Sequence, residues 1–207
     1  TRQRAELSSA VLASLGHDLR TPLTAIRVAV TNMHDASLSD AQRDAQTTLA
    51  LAQLQHLTRL FDEILDMARI EANAVQTKLE WVTAADVVDA ALTTVAIAVA
   101  GHDVQVHTSA DRLAQIDPQL TSAALTHLVE NAARYSPAAT VIDIDARVTD
   151  DGLRIAVTDR GPGLEPQELE KLFEPLFRGA WARQRAPGTG MGLAITRGLL
   201  AAAGGRV

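Results

Sequence analysis

The stretch "VLASLGHDLRTPLTAIR", residues 11–27, predicts the helical first half of the chain. Apolar residues recur there every three or four positions, as on one face of an amphipathic helix. This apolar stripe comprises Leu12, Leu15, Leu19, Leu23, Ile26, Val30 and Met33. His17 lies off the stripe, so we expect it to face water. Pro22 removes the N–H that would bond to the carbonyl of Asp18, so we also expect a bend next to His17.

A second helix follows the segment "HDASLSD", residues 34–40, whose small polar residues interrupt the first. Ser39 or Asp40 can cap this second helix. Its apolar stripe comprises Leu54, Leu57, Phe61, Ile64 and Ala68. Two such helices form an antiparallel hairpin that cannot cover both stripes by itself. A dimeric four-helix bundle would cover them, and so would packing on the second half of the same chain; the continuity of the stripes favours the dimer.

Composition excludes several classes of function. The chain has 207 residues and a net charge of −6, which argues against nucleic acid as a partner. It has no cysteine, so disulfides and thiolate metal sites are excluded. No run of about 18 apolar residues predicts a membrane span. The sequence begins within a helical pattern, without a capping signal or a signal peptide, so we expect it to be part of a longer protein.

The pattern changes near residue 77, where strands and helices begin to alternate. The segments "KLEWV", "DVQVHT" and "LAQID" are typical of strands, and "TVIDIDARV" and "LRIAVTD" form a strand pair joined by the turn "TDDG". Helical patterns lie between these strands, and the last one, "GLAITRGLLAAAGG", ends at two glycines. We therefore predict a multidomain α+β chain: a helical domain over residues 1–73, and a sheet covered by helices on one face over residues 77–207.

The helix containing "HLVENAARY", residues 127–135, carries a cluster of polar side chains. His127, Asn131 and Tyr135 share one helical face, with Arg134 beside them. An amide oxygen can ligate Mg²⁺, a guanidinium can contact phosphate, and a tyrosine ring can flank a flat base. An ordinary helix with polar residues facing solvent has the same spacing.

The segment "VTDRGPGL", residues 157–164, places Asp159 after a strand and before Gly161 and Gly163. The glycines permit a turn that a Cβ would obstruct, and the carboxylate can accept a hydrogen bond from an exocyclic amine. A plain turn after a strand has the same composition.

Two later segments suit the binding of an anion. In "APGTGMGLAI", residues 186–195, a run of glycines leads directly into a helix, whose first N–H groups can bind an anion. The segment "LFEPLFRG", residues 172–179, contains Phe173 and Phe177, and the basic stretch "AWARQRAP" that follows it suits a mobile lid over phosphates. Flexible or solvated loops are the alternatives.

The order of these four segments resembles that of the N box, first glycine box, F box and second glycine box of the ATP-binding domain of sensor histidine kinases. Type II topoisomerases, Hsp90 chaperones and mismatch-repair ATPases share this domain type. Upstream, "GHDLRTPL" resembles the H box of the same kinases, so the resemblance covers about residues 5–207. Within the family, "DRGPG", "LEWV" and "ENAARYSP" are most similar to the potassium-responsive Kdp-type sensors.

The resemblance implies a dimeric four-helix bundle followed by a Bergerat-type (GHKL) α/β sandwich that lacks its C-terminal strand. It implies ATP and Mg²⁺ as cofactors, with Asn131 as the metal ligand, Arg134 on phosphate, and Tyr135 and Asp159 on adenine. The other implied nucleotide contacts are Gly161, Gly163, Arg178, Gly188, Thr189, Gly190, Gly192 and Leu193. One position departs from the family pattern: His127 occupies a site where members often carry Asn, which puts a second amide contact to the metal in doubt.

The resemblance also implies autophosphorylation on His17 and phosphoryl transfer to an aspartate of a response regulator. A neutral imidazole is a good nucleophile near pH 7. Asp18 would orient the ring or take its proton, and Thr21 would serve a phosphatase activity. The implied partners are a receiver domain and a second copy of the chain. The implied location is the cytoplasmic side of a membrane-anchored bacterial sensor, whose membrane segments lie outside this chain. A non-catalytic, nucleotide-binding dimeric scaffold, or an enzyme acting mainly as a regulator phosphatase, are the alternatives.

Overall fold

Two helices of 32 residues each form the first part of the chain, α1 (Arg2–Met33) and α2 (Asp40–Glu71). The structure, a computed structural model, describes residues 2–35, 37–109, 112–185 and 188–207; of residues 2–15, 17, 18, 184 and 185 it describes the backbone alone. The chain divides between residues 65 and 66 into two units. None of the helices, so far as they are described, combines the length and apolar character that crossing a bilayer requires.

The turn between α1 and α2 is closed by a reciprocal cap. Of the two residues predicted to cap α2, Ser39 does so: its N–H donates to Oε1 of Gln42 at 2.9 Å, and its Oγ accepts from the Gln42 N–H at 3.3 Å. The Arg43 guanidinium donates to the carbonyls of Met33 and Asp35. The first turn of α2 is thereby tied to the end of α1.

The buried line along the hairpin differs from the predicted stripes. Helix α1 continues through Pro22, which is itself buried. Among the hairpin side chains that the structure describes, the other buried ones are Ala29, Ala50, Leu57 and Leu60. Of the predicted stripes, Leu57 is buried, whereas Leu23 and Phe61 are 56% and 54% exposed. Small residues such as Ala29 let helices approach closely, so the buried line includes them. Of the stripe residues whose side chains are described, about half are exposed.

In the described part of the second unit, five strands form two small sheets. Strands β1 (Glu80–Thr83) and β3 (Leu113–Ile116) pair antiparallel. The other sheet has the order β2-β4-β5, with β2 (Asp103–Thr108) parallel to β4 (Val141–Thr149), and β4 antiparallel to β5 (Gly152–Thr158). The helices are α3 (Ala84–Val99), α4 (Pro118–Tyr135), α5 (Pro166–Leu169), α6 (Ala180–Arg185) and α7 (Gly192–Ala202). The predicted α+β architecture is confirmed.

Helices cover one face of the larger sheet, as predicted. Strand β4 alternates strictly, with Ile142 and Ile144 fully buried while Asp143 and Asp145 lie on the opposite face. The core combines that buried face with apolar residues of α3 and α4, namely Val87, Val88, Ala91, Val95, Leu125 and Val129. This packing fixes the position of α4, the helix that carries the polar cluster.

Within the segment "PQELEKLF", residues 166–173, only Pro166–Leu169 is helical. The chain then turns, and Leu176 adopts a φ of +64°. This turn lets the Leu176 N–H donate to the carbonyl of Gly190 at 3.1 Å. A longer α5 would not allow that contact between the two segments.

Asp117 anchors the start of α4. Its side chain is buried, and it accepts from the Leu120 N–H at 2.9 Å as the N-cap and from the Lys78 N–H at 2.6 Å. Its backbone carbonyl accepts from the Thr121 hydroxyl at 2.6 Å. One carboxylate thus caps the helix and holds the segment that enters β1.

We predict that Asp117→Ala lowers the free energy of unfolding by about 1–3 kcal/mol, because it removes a cap and leaves two N–H groups without their acceptor. Urea denaturation measures the change. Asp86→Ala is the matched control, since Asp86 belongs to the exposed capping box of α3 and its loss should cost less. An Asp117→Ala variant as stable as Asp86→Ala would contradict this account.

Candidate functional site

Helix α4 brings the predicted metal ligand next to the start of α7. A Cβ built on Gly192 would lie 3.7 Å from Nδ1 of His127 and 3.9 Å from Nδ2 of Asn131. Both side chains are half-buried. Helix α7 also contacts α4 one turn earlier, where the Thr196 hydroxyl donates to the carbonyl of Ala124 at 3.4 Å. The face of α4 predicted from the sequence therefore lies against the first residue of α7.

The second glycine segment lies between α4 and the F-box segment. A Cβ on Gly188 would lie 2.8 Å from Nη1 of Arg134, so that guanidinium lies against the loop. Gly190 has a φ of +75°, and a Cβ there would lie 2.6 Å from the carbonyl oxygen of Phe177. Both its conformation and its close contact require glycine. The second glycine segment thus contacts both the Arg134 side chain of α4 and the backbone of the F-box segment.

Two further residues of this segment, both predicted nucleotide contacts, are at least partly buried. Thr189 is buried, and its Oγ1 accepts from the Met191 N–H at 3.2 Å. Leu193 is half-buried in the first turn of α7. The N–H groups in the first turn of the 11-residue helix α7 lack partners within the helix and present partial positive charge beside Asn131. Arg134 lies beside Gly188, four residues before α7 begins.

The turn that contains Asp159 lies at the C-terminal end of α4, beside Tyr135. Asp159 is exposed, and its Oδ1 accepts from the Gly161 N–H at 2.6 Å. The Arg160 N–H donates to Oγ of Ser136, and a Cβ on Gly161 would lie 3.2 Å from the carbonyl oxygen of Tyr135. Asp159 and Tyr135, both predicted to contact one flat ring, are therefore neighbours. Gly163, with a φ of +73°, completes the turn.

The short helix α6 brings a second aromatic ring to this end of the site. The rings of Trp181 and Tyr135 meet edge to face, with centroids 6.1 Å apart and planes at 66°. Nη2 of Arg178 donates to the carbonyl of Ala182 at 2.5 Å, so Arg178 holds α6 from within the F-box segment. Trp181 was not predicted to belong to the site, because the stretch "AWARQRAP" stood out only as basic. A tryptophan in a chain with few aromatic residues was the signal that could have identified it.

Glu168 fixes the start of α6, and it too was missed from the sequence. Its Oε1 accepts from the Ala180 N–H at 2.8 Å and its Oε2 from the Glu165 N–H at 3.1 Å. These hydrogen bonds, first that from Ala180, and the nearby charge of Arg183 hold the pKa of Glu168 below its usual value. The carboxylate is thus ionised at neutral pH and available to accept both bonds.

The arrangement suits a ligand with an anionic end and a flat heterocyclic end. Amide N–H groups and Arg134 supply donors for the anion, and Asn131 offers an amide oxygen to a hard cation. At the other end, Asp159 is an acceptor beside the Tyr135 and Trp181 rings. In the part of the chain that the structure describes, no three histidine, aspartate or glutamate side chains form a metal cluster. A bound cation would therefore need ligands from the anion as well.

The predicted phospho-acceptor segment lies in α1. His17 and Asp18 fall in the part of α1 of which the backbone alone is described, so the predicted contacts of their side chains lie outside the described residues. Thr21 is exposed one turn after His17, and Pro22 beside it is buried.

Two family models match the chain. Residues 8–73 match the His Kinase A (phospho-acceptor) domain, and residues 116–207 match the histidine kinase-, DNA gyrase B-, and HSP90-like ATPase domain. The first contains the His17 segment and the second contains the Asn131, Asp159 and Gly190 segments.

Named relatives agree with both matches. The sensor protein KdpD of Escherichia coli K12 is 34% identical over 99% of this chain, which spans 23% of that relative. Among solved structures, the Acinetobacter baumannii histidine kinase AdeS has a TM-score of 0.66 at 22% identity, covering 90% of this chain and 86% of that one. Full-length ShkA in complex with AMPPNP has a TM-score of 0.64 at 27% identity, covering 93% of this chain and 41% of that one.

The AdeS likeness shows the fold, and the KdpD match confirms the predicted similarity to Kdp-type sensors. The order of the two domains is the one predicted from the H box and the four later segments. On these findings the chain belongs to the sensor histidine kinase family, with a phospho-acceptor domain followed by a GHKL-type ATPase domain.

Proposed function

We propose that this chain is the kinase core of a two-component sensor, which binds ATP in residues 77–207 and phosphorylates itself on His17 within residues 1–73. The observation that carries the proposal is the convergence of Asn131 with the first residue of α7, and of Arg134 with Gly188 in the loop that precedes it. Support for the nucleotide comes from the ATPase family match and from ShkA, a similar protein solved in complex with AMPPNP.

The described residues fit Mg²⁺ and ATP. Asn131 would hold the cation through its amide oxygen, and when bound the cation would neutralise the charge of the phosphates. Arg134 and the N–H groups at the start of α7 would bind the phosphates. Asp159 would accept a hydrogen bond from the exocyclic amine of adenine, with the rings of Tyr135 and Trp181 beside the base. The remaining predicted contacts, in the glycine segments and Arg178, would shape the loops around the nucleotide.

The transfer step would form a bond between a ring nitrogen of His17 and the γ-phosphorus while the bond from that phosphorus to the bridging oxygen breaks. ADP would leave, and Asp18 would hold or accept the proton of the other ring nitrogen. The phosphoryl group would then pass to an aspartate of a receiver domain. Such chemistry depends mainly on positioning and charge stabilisation.

A homodimer suits the apolar surface of the hairpin. Leu23 and Val30 of α1, and Leu54 and Phe61 of α2, are each 45% or more exposed in the single chain. A second copy would bury them in a four-helix bundle. We place this core on the cytoplasmic side of a membrane-anchored bacterial sensor, with membrane contact only through segments outside this chain and without nucleic acid as a partner.

Two alternatives remain within the same fold. A dimeric scaffold would bind nucleotide and signal by conformation without phosphorylating His17. A regulator phosphatase would rely on the exposed Thr21, one turn from His17, to position a water molecule. The first two predictions below separate these functions.

We predict that the chain, incubated with Mg²⁺ and γ-labelled ATP, acquires an acid-labile label that His17→Gln abolishes, because His17 is the phosphoryl acceptor in the proposed transfer step. The control is His34→Gln, which changes an exposed histidine just beyond α1 and should leave the label intact. Bound nucleotide without any label would favour the scaffold.

We also predict that Thr21→Ala slows dephosphorylation of the phosphorylated regulator while autophosphorylation proceeds at the wild-type rate. The hydroxyl is absent from the proposed transfer step, so it should matter only to hydrolysis. Measuring both rates on one preparation makes the comparison. Dephosphorylation at the wild-type rate would refute the role of Thr21.

Trp181 provides a reporter of nucleotide binding. The chain has two tryptophans, and Trp81, on β1, is 64% exposed. In Trp81→Phe the emission comes from Trp181 alone, and we predict that it changes on titration with ATP because a base beside Tyr135 alters its surroundings. Trp181→Phe, which keeps only Trp81, is the control and should show no change. Unchanged Trp181 emission at nucleotide saturation, with binding verified by dialysis, would contradict the placement of the base.

A further inference from the structure

We propose that His127 is a direct ligand of the divalent cation that accompanies the nucleotide, so that this site favours Mn²⁺ over Mg²⁺ more than a site with an amide at that position. The inference rests on the proposed function, because it concerns the cation of the same nucleotide site. It assigns a metal-binding role to the residue at which the sequence departs from the family pattern.

The geometry places His127 and Asn131 together. They are one turn apart on one face of α4, and both side chains lie within 4 Å of a single point at Gly192. Two metal ligands at positions i and i+4 of a helix can bind one cation, as the two histidines of the H-E-x-x-H zinc motif do. Val129 is buried in the core on a different side of α4, so the face with His127 and Asn131 is turned toward α7.

Glu130 lies beside the imidazole. Its Oε2 is 4.0 Å from Nδ1 of His127, and the two side chains are only 20% and 13% exposed. A carboxylate facing one ring nitrogen favours the tautomer that carries its proton there. The other nitrogen, Nε2, then keeps its lone pair for a metal, an arrangement that recurs around metal-binding histidines.

The chemistry of the ligand determines the preferred cation. Mg²⁺ selects oxygen ligands and loses its waters reluctantly, whereas imidazole binds first-row transition cations well. An imidazole beside the Asn131 amide therefore shifts the preference toward Mn²⁺. The described residues contain no cluster of three histidine, aspartate or glutamate side chains, so phosphate oxygens and water would complete the coordination. We therefore expect tight cation binding only in the presence of nucleotide.

The test measures the affinity of AMPPNP by calorimetry with Mg²⁺ and with Mn²⁺. For His127→Asn we expect the ratio of the Mn²⁺ affinity to the Mg²⁺ affinity to fall by roughly tenfold, equivalent to about 1.4 kcal/mol. The matched control is His107→Asn, on the opposite face of the sheet with its side chain 59% exposed, and it should leave the ratio unchanged. An unchanged ratio in His127→Asn would overturn the proposal.

Pulsed electron paramagnetic resonance of the Mn²⁺–AMPPNP complex gives a second, direct readout. Imidazole coordination predicts the ¹⁴N coupling of a directly bound imidazole, distinct from that of the imido nitrogen of AMPPNP. It should be present in the wild type and in His107→Asn and missing in His127→Asn. Nucleotide binding with a spectrum identical in wild type and His127→Asn would overturn the cation assignment alone. Absence of AMPPNP binding with either cation would overturn the proposed function itself, so the two failures are distinguishable.

Discussion

The contact of the first residue of α7 with the polar face of α4 is the constraint on which the rest of the site depends. Gly192 lies beside His127 and Asn131, and a Cβ built on it would be within 4 Å of both side chains. The same contact directs the free N–H groups of α7 toward the helix that carries Asn131 and Arg134. A site for an anion and its cation therefore follows from packing two helices, and the buried Asp117 cap and the apolar side of α4 hold that packing in place.

The segments around this helix pair depend on it in turn. Gly190 brings the F-box segment against the second glycine segment, and Glu168 and Arg178 fix the start of α6 to the turns before it. The ring of Trp181 then contacts that of Tyr135, the last residue of α4. The F-box segment and α6 are thus held by a few hydrogen bonds between side chains and backbone groups. So few contacts suit a lid that has to open for nucleotide exchange.

Periodicity and turn chemistry predicted the elements well, since these signals are local. The alternation of β4 and the Ser39 cap followed directly from neighbouring residues. Trp181 and Glu168 were missed because their partners lie elsewhere in the chain, and only the folded lid brings them together. The buried line through Pro22 and Ala29 was missed because an apolar stripe gives the direction of a helical face only approximately, and close helix approach favours small residues. The sequence showed that His127 departs from the family pattern. Only the structure shows that the Glu130 carboxylate lies close to its ring.

A crystal structure of this chain with AMPPNP and Mn²⁺ would test the central claim most directly, namely that the α4–α7 junction binds the phosphates. The account predicts phosphate oxygens within hydrogen-bond distance of the N–H groups at the start of α7 and of the Arg134 guanidinium, with the base between Asp159 and Tyr135. A nucleotide bound at any other place, or phosphates directed away from the start of α7, would contradict it.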